Sequence, residues 1–243
     1  MPFFSIIVPT RNRVADLRRC LAGIAAQSFT DFEVIIVDDG SEATVLEGYA
    51  QMAQDFGPRF RFVHPANPCP WGSGPGAARN RGLVAAKGVY VGFCDDDDFW
   101  TASDHLSVAA NALELTSADA YFADQSSLVA GEPVKESWLP ELRDWSGRAT
   151  SRMVAGVYQL PLGPLLDCSH FPHLNISLYR KARIERIGGF WEAIRYEEDR
   201  EFFGARWMVL EKFSIARLRL AYITFPMLSL AKMRRRICNI WKR

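Results

Sequence analysis

Apolar positions along the first hundred residues fall into short continuous runs, separated by stretches where they recur every three or four residues. "FSIIV" (4–8), "EVIIVDD" (33–39), "RFRFVH" (59–64) and "VYVGFC" (89–94) are runs of the first kind and predict strands. "VADLRRCLAGIAAQ" (14–27), with Val14, Leu17, Leu21 and Ile24 at helical spacing, predicts a helix. So do "ATVLEGYAQMAQ" (43–54) and "GAARNRGLVAAKG" (76–88). Gly88 is placed to close the third helix in a left-handed cap. Thr101 with Asp104 is placed to open a fourth, "ASDHLSVAANALEL" (102–115), as a capping box. Strands apolar on both faces and separated by helices predict an α/β domain, a mostly parallel central sheet with helices on both faces.

From about residue 119 the pattern changes. "DAYFAD" (119–124) and "HLNISLYR" (173–180) predict strands, and "KARIERIG" (181–188) a helix. "GGFWEAIRYEEDREFFGARWMVL" (188–210) turns at its Gly pair and enters another helix. Residues 125–170, with four prolines, Trp138, Trp145 and His170, show no clear period and read as an irregular, functional loop region. No internal repeat or low-complexity segment interrupts the chain.

At 243 residues, 49% hydrophobic and 23% charged, the chain suits one large soluble domain. Its net charge of +1 gives no global field for nucleic acid. The charge is uneven, however: all 28 acids lie in the first 211 residues, and nine Lys or Arg follow Glu211. Residues 1–211 are therefore expected to form the domain, and 212–243 a basic, apolar tail. Within the tail, 228–243 sets Lys232, Arg234, Arg235, Arg236, Lys242 and Arg243 among Leu, Met, Ile and Trp, a composition that can lie on an anionic membrane surface. Five cysteines without C-x-x-C spacing fit free thiols in a reducing compartment. No signal peptide is legible at "MPFFSIIVPT", and the longest apolar run, Leu220 to Ala231, is short and broken by Pro226. The expectation is a cytoplasmic protein with peripheral contact at the inner membrane face through 228–243.

Three of the predicted strands run into polar residues at their carboxyl ends: Thr10, Arg11 and Asn12; Asp38 and Asp39; Asp95 to Asp98. In open α/β sheets ligands bind at that edge. Four adjacent carboxylates repel one another, and folding alone does not require them. In an extended segment Asp95 and Asp97 would point one way, ~6–7 Å apart, and Asp96 and Asp98 the other. That spacing suits one acid on a ribose and another on Mg²⁺ or Mn²⁺ held against phosphates.

"SIIVPTRNR", "QSFTDFEVIIVDDGS", "GPGAARNRGLVAAKGVYVGFCDDDDFW" and "GGFWEAIRYEEDREFF", in this order and spacing, resemble family 2 glycosyltransferases of the GT-A fold. The likeness is close over residues 3–100 and looser over 173–207. It implies a nucleotide-binding half at 1–100 and an acceptor-side half at 119–211. It also implies inverting transfer of a sugar from a nucleotide-sugar donor, usually UDP-linked, to a hydroxyl of a saccharide or lipid-linked acceptor, with Mg²⁺ or Mn²⁺. By the same resemblance Pro9 and Thr10 lie beside the nucleotide, with Asn12 in the same turn, and Asp39 recognises the base. Arg79 is a basic residue at the nucleotide pocket. Asp95 and Asp97 match the D-x-D motif, with Asp96 between them at the nucleotide and Asp97 on the metal. Asp199 matches the general base, with Glu198 as its competitor.

Other residues carry weaker readings. Asp38 braces its loop. Trp138 and Trp145 are placed to stack on acceptor sugars or to pack on the domain. His170 and His173 could reach metal or acceptor, and Asn175 could line the acceptor side. "GSGPGA" (72–77) satisfies G-x-G-x-x-A and raises a Rossmann-type NAD-dependent oxidoreductase as the alternative, but its glycines do not sit between the first strand and its helix. A non-catalytic nucleotide-sugar-binding module predicts loss of the metal acid or the base, and both Asp97 and Asp199 are present.

Overall fold

The computed structural model describes residues 1–67, 69, 71–129, 132–148, 152–154, 157–160, 165, 168, 170–204, 220–223 and 228–230. The first half alternates as its pattern requires. Strands β1 (Phe4–Thr10), β2 (Phe32–Asp38), β3 (Phe60–Val63) and β4 (Tyr90–Phe93) alternate with helices α1 (Val14–Ala25), α2 (Ala43–Phe56) and α3 (Pro75–Ala85). They pair in the order β3-β2-β1-β4, all parallel. Ile6, Ile7 and Val8, like Val34 to Val37, are wholly buried, because helices cover both faces of these strands. Leu17, Cys20, Leu21 and Ile24 form the buried face of α1.

Helix α3 ends at Ala85, and Ala86 leaves it in an extended conformation. Gly88 is therefore not a left-handed cap. A Cβ there would meet Ser5 N at 2.5 Å and Phe4 C at 2.7 Å, so Gly88 is required by close backbone approach to β1. After a two-residue strand β5 (Asp98–Phe99), helix α4 runs His105–Thr116. It starts later than the capping-box reading places it, and Asp104 makes no side-chain cap. The donor at Leu106 N is satisfied instead by Gln27 Oε1 at 3.0 Å, from the end of α1. A tertiary contact has replaced the local one.

The central sheet continues past β4 with β11 (Ser177–Arg180), antiparallel to both β4 and β6 (Ala120–Ala123). Then come β12 (Leu220–Ile223), parallel to β6, and the antiparallel β10 (Val157–Leu160) and β9 (Arg152–Val154). A smaller sheet joins β7 (Ser126–Val129), β8 (Glu132–Lys135) and β13 (Leu228–Leu230) to β5, in the order β5-β13-β7-β8. The stretch 125–170 thus carries four short strands and helix α5 (Pro140–Arg148), not an irregular loop. Strands of three or four residues are too short to show a period, and β8 is largely exposed.

Leu174–Ile176 is a 3-10 turn leading into β11, followed by α6 (Lys181–Ile187), the Gly188–Gly189 turn and the short α7 (Glu198–Glu201). Within the stretch read as a tail, Leu220–Ile223 and Leu228–Leu230 are strands paired into the two sheets. Of the segment 228–243 expected to lie on a membrane surface, Leu228–Leu230 is one of these strands, and 231–243, with Cys238, lies outside the described residues. Among the described residues, no helix is long and apolar enough to cross a membrane.

His105 is buried between Trp100 and Tyr121, with ring centroids 4.8 and 5.7 Å away. Burial pushes its imidazole down to about 4. In the unfolded chain the ring binds its proton near its ordinary value, before the native state does. Its contribution to stability is therefore complete above that value and lost as pH falls toward about 4. Urea titrations across this window should show the wild type losing about 3 kcal/mol more than His105→Phe.

Candidate active site

The sheet register brings the three polar clusters together. Thr10 pairs with Asp38 at the end of β1 and β2, and Ile7 pairs with Phe93 near the end of β4. The segments leaving these three strands therefore emerge at one edge, where a cavity of about 380 Å³ opens. Its walls are Pro9 to Arg13 from the β1–α1 turn, Asp39 after β2, Pro75 and Ala78 of α3, Asp95 to Asp97 after β4, and Glu198 of α7.

The four aspartates are not extended. Asp98 N donates to Asp95 O at 3.0 Å, closing a turn through Asp96 and Asp97. The expected alternation of Asp95 and Asp97 against Asp96 and Asp98 is lost, because a turn rotates successive side chains away from the two-sided arrangement of a strand. Asp95 and Asp98 meet separate partners, while Asp96 and Asp97 share Arg13. Asp95 accepts from Arg79 Nη2 at 2.7 Å. Asp96 accepts from Thr10 Oγ1 at 2.8 Å and Arg13 Nη1 at 2.7 Å, and the same Arg13 nitrogen is 3.2 Å from Asp97. Asp98 accepts from the Asn175 side-chain amide. Burial drives Asp96 up to about 6, against the pull of Arg13, and the like charge of Asp97 adds to the rise.

Arg79 does not line the cavity. It is 3% exposed, behind the wall, and joins Asp95 to Glu198 Oε1 at 2.8 Å. Burial opposes its charge, but Asp95 and Glu198 outweigh this and raise its pKa above the ordinary arginine value. Sequence reasoning missed Arg13 and Arg81. The signal for Arg13 was present, since a row of carboxylates needs cations and "PTRNR" leaves the same edge.

Asp39 supports the glycine-rich loop. Its Oδ1 accepts from Ser73 N at 3.0 Å, from the Ser73 hydroxyl and from Arg81 Nη2 at 2.6 Å, while Oδ2 accepts from Gly74 N at 2.9 Å. Burial alone would raise this carboxyl, but the donors from Ser73, Arg81 and Gly74 hold it below the ordinary range. Gly72, at φ +71°, fits because a Cβ there would lie 2.6 Å from Asp39 Oδ2. With three donors on Oδ1 and one on Oδ2, the remaining acceptor capacity is on Oδ2. Asn12, also at positive φ, accepts from Glu42 N at 2.8 Å. Asp38 accepts from Ser41 N at 3.0 Å and so pins the turn into α2.

Across the cavity, Glu198 forms part of the wall, while Asp199 is not among the lining residues. Asp199 Oδ2 lies 3.4 Å from His173 Nε2. Asn175 is 1% exposed, and its side chain is spent on Asp98 and on Asp95 N at 2.9 Å, so it braces the acidic turn and does not face an acceptor. Trp138 donates from Nε1 to Phe171 O at 3.2 Å, and its ring lies tilted at 49° to that of exposed His170, 5.2 Å away. Trp145 is half-buried against Tyr158.

Among the described residues no group of three or more His, Cys, Asp or Glu converges as a ready-made metal cage; the hard oxygen donors that face the cavity are the carboxylates of the acidic turn, a type that divalent cations accept together with phosphate and water. Asp95, Asp96 and Asp97 all line the cavity, with side chains 29%, 6% and 18% exposed, and Asp97 shares Arg13 with Asp96.

The family model "Glycosyl transferase family 2" matches residues 5–151. The succinoglycan biosynthesis protein ExoW of Rhizobium meliloti is 39% identical over 126 residues, which cover 51% of this chain and 38% of ExoW. S. aureus TarS superposes with a TM-score of 0.68 at 22% identity, over 95% of this chain and 37% of TarS, and a shorter TarS has been solved with UDP-GlcNAc. The mannosyltransferase PcManGT of Pyrobaculum calidifontis, solved with GDP-Man and Mn²⁺, superposes with a TM-score of 0.60 at 20% identity, over 99% of this chain and 59% of that one. The fold is that of the GT-A glycosyltransferases. The chain spans 38% of the length of ExoW; all of the cavity's walls but Glu198 fall inside the matched stretch, and on that match the chain belongs to glycosyl transferase family 2.

Proposed function

We propose that the protein transfers a hexose from a UDP-linked donor, with inversion, to a hydroxyl of a saccharide or lipid-linked acceptor. The observation that carries this reading is the shared cavity in which Asp39, the acidic turn and the Glu198 segment meet. Asp39 Oδ2 has capacity for an N–H of the base, and Pro9, Thr10 and Asn12 form the wall beside it. Asp95 and Asp96, fixed by Arg79, Arg13 and Thr10, flank the ribose and diphosphate. Asp97 would hold Mg²⁺ or Mn²⁺, which when bound neutralises the charge that develops on the departing diphosphate. TarS with UDP-GlcNAc supports the donor class, and PcManGT with Mn²⁺ supports the metal.

Glu198 is committed to the buried Arg79, and Asp199 is the base. A sugar hydroxyl becomes an effective nucleophile as a carboxylate takes its proton. Asp199 receives that proton as the acceptor oxygen bonds to the anomeric carbon opposite the leaving diphosphate. The anomeric configuration inverts in one displacement. Supply of a surface polysaccharide or glycolipid is the setting, supported by the relation to ExoW. The reaction takes place on the cytoplasmic side, with the basic segment 228–243 drawing the protein to anionic lipid.

Asp199→Asn should lower UDP release in the presence of acceptor by about 10²–10⁴-fold while leaving UDP affinity unchanged. Full activity in that variant would remove the base assignment. Asp39→Asn should weaken UDP binding about tenfold or more by calorimetry with Mn²⁺. Equal affinity would take Asp39 out of base recognition. Replacing Arg234, Arg235 and Arg236 with Gln should reduce co-sedimentation with phosphatidylserine vesicles by about 100-fold, at ~1 kcal/mol per charge. Equal sedimentation would end the membrane reading.

A further inference from the structure

His173 faces Asp199 with a side chain that no role above uses, and both of its ring nitrogens lie near a polar partner. Nδ1 accepts from Asn175 N at 3.3 Å. In the neutral ring the proton therefore sits on Nε2, which faces Asp199 Oδ2 at 3.4 Å. The backbone is pinned as well: His173 O accepts from Ser177 Oγ at 2.7 Å and from Ile176 N at 3.2 Å. Trp138 stands edge-on to the imidazole at 6.0 Å. Asp199 Oδ1 is engaged by Arg200 N at 2.8 Å, so Oδ2 is the oxygen left to face the imidazole N–H and a substrate. Two residues on, Asn175 binds the acidic turn at Asp95 N and at Asp98.

We propose that His173 is a positioning residue for the base, and that the 173–175 turn holds Asp199 in register with the acidic turn on which the leaving group sits. The inference rests on the reading of Asp199 as the base. His173 donates its Nε2–H to Asp199 Oδ2 and leaves the other lone pair of that oxygen toward the acceptor hydroxyl. The proton moved in the reaction passes from the acceptor to Asp199, and His173 neither gains nor loses one. The arrangement explains why a base in α7, about a hundred residues from the acidic turn, keeps a fixed position relative to it: both are tied to the same three-residue turn.

Two substitutions separate this role from a merely structural one. His173→Asn keeps an acceptor near the place of Nδ1 for Asn175 N but has no donor that reaches Asp199. His173→Gln carries its amide N–H to the position of Nε2. Positioning predicts that His173→Asn lowers kcat for UDP release about 10–100-fold, with UDP affinity in Mn²⁺ within about twofold. It also predicts that His173→Gln restores kcat to within about fivefold, and that His173→Asn costs nothing further in an Asp199→Asn background. A structural role alone predicts the reverse order, with His173→Asn active and His173→Gln impaired; that result overturns the proposal and leaves the transferase reading standing. Release of no UDP by the wild type from any nucleotide sugar, across a panel of saccharide and lipid-linked acceptors, would overturn both.

Discussion

Four carboxyl groups in sequence at the end of a buried strand can coexist only if surrounding segments supply cations and hydrogen-bond donors to them. That requirement organises the molecule. Arg79 comes to Asp95 from α3, Arg13 and Thr10 come to Asp96 from the β1–α1 turn, and Asn175 comes to Asp98 from the entry to β11. Three separate segments converge because the acidic turn needs them. In converging they wall the cavity from the side of β1, the side of α3 and the side of the second half of the chain. The turn is thus a wall of the cavity and also a joint between the first and second halves of the chain.

Arg79 shows how closely that joint is built. A guanidinium 3% exposed would be costly alone, and two nearby carboxylates would repel each other without it. Placed between Asp95 and Glu198, it links the turn after β4 to α7 in one buried chain of charge. The 173–175 turn forms a second link between the same two regions, through Asn175 at one end and His173 at the other. Two independent ties across the cavity limit how far its opposite walls can drift, which is what a reaction between groups on those walls requires.

The loop over Asp39 follows a similar logic with backbone donors. Ser73 and Gly74 turn their N–H groups onto the carboxylate, Arg81 closes over it, and Gly72 leaves room where any side chain would collide. The "GSGPGA" segment that resembles a dinucleotide motif is therefore a carboxylate-binding loop. Gly72 and Gly74 answer to Asp39 and Gly76 to the backbone around Trp191, not to a pyrophosphate placed between the first strand and its helix.

Sequence alone determined the first half of the fold and the edge at which the site would lie. Doubly buried strands and amphipathic helices have strong periods that survive without tertiary information, and polar residues after β1, β2 and β4 had to emerge together once those strands were parallel. Local reading failed where neighbours in space replace neighbours in sequence. Gly88 answers to the backbone of β1, Leu106 N is capped by Gln27, and the short strands between Ser126 and Leu160 exist through their partners. The same holds in the site. The resemblance to family 2 glycosyltransferases offered Asp39, Asp95 to Asp97 and Asp199 as candidates, whereas only the packed chain decided that Arg79 stands behind the wall, that Arg13 serves two carboxylates, and that His173 faces Asp199. Those assignments depend on distances between segments up to about a hundred residues apart, and side-chain chemistry read along one strand of sequence carries no measure of them.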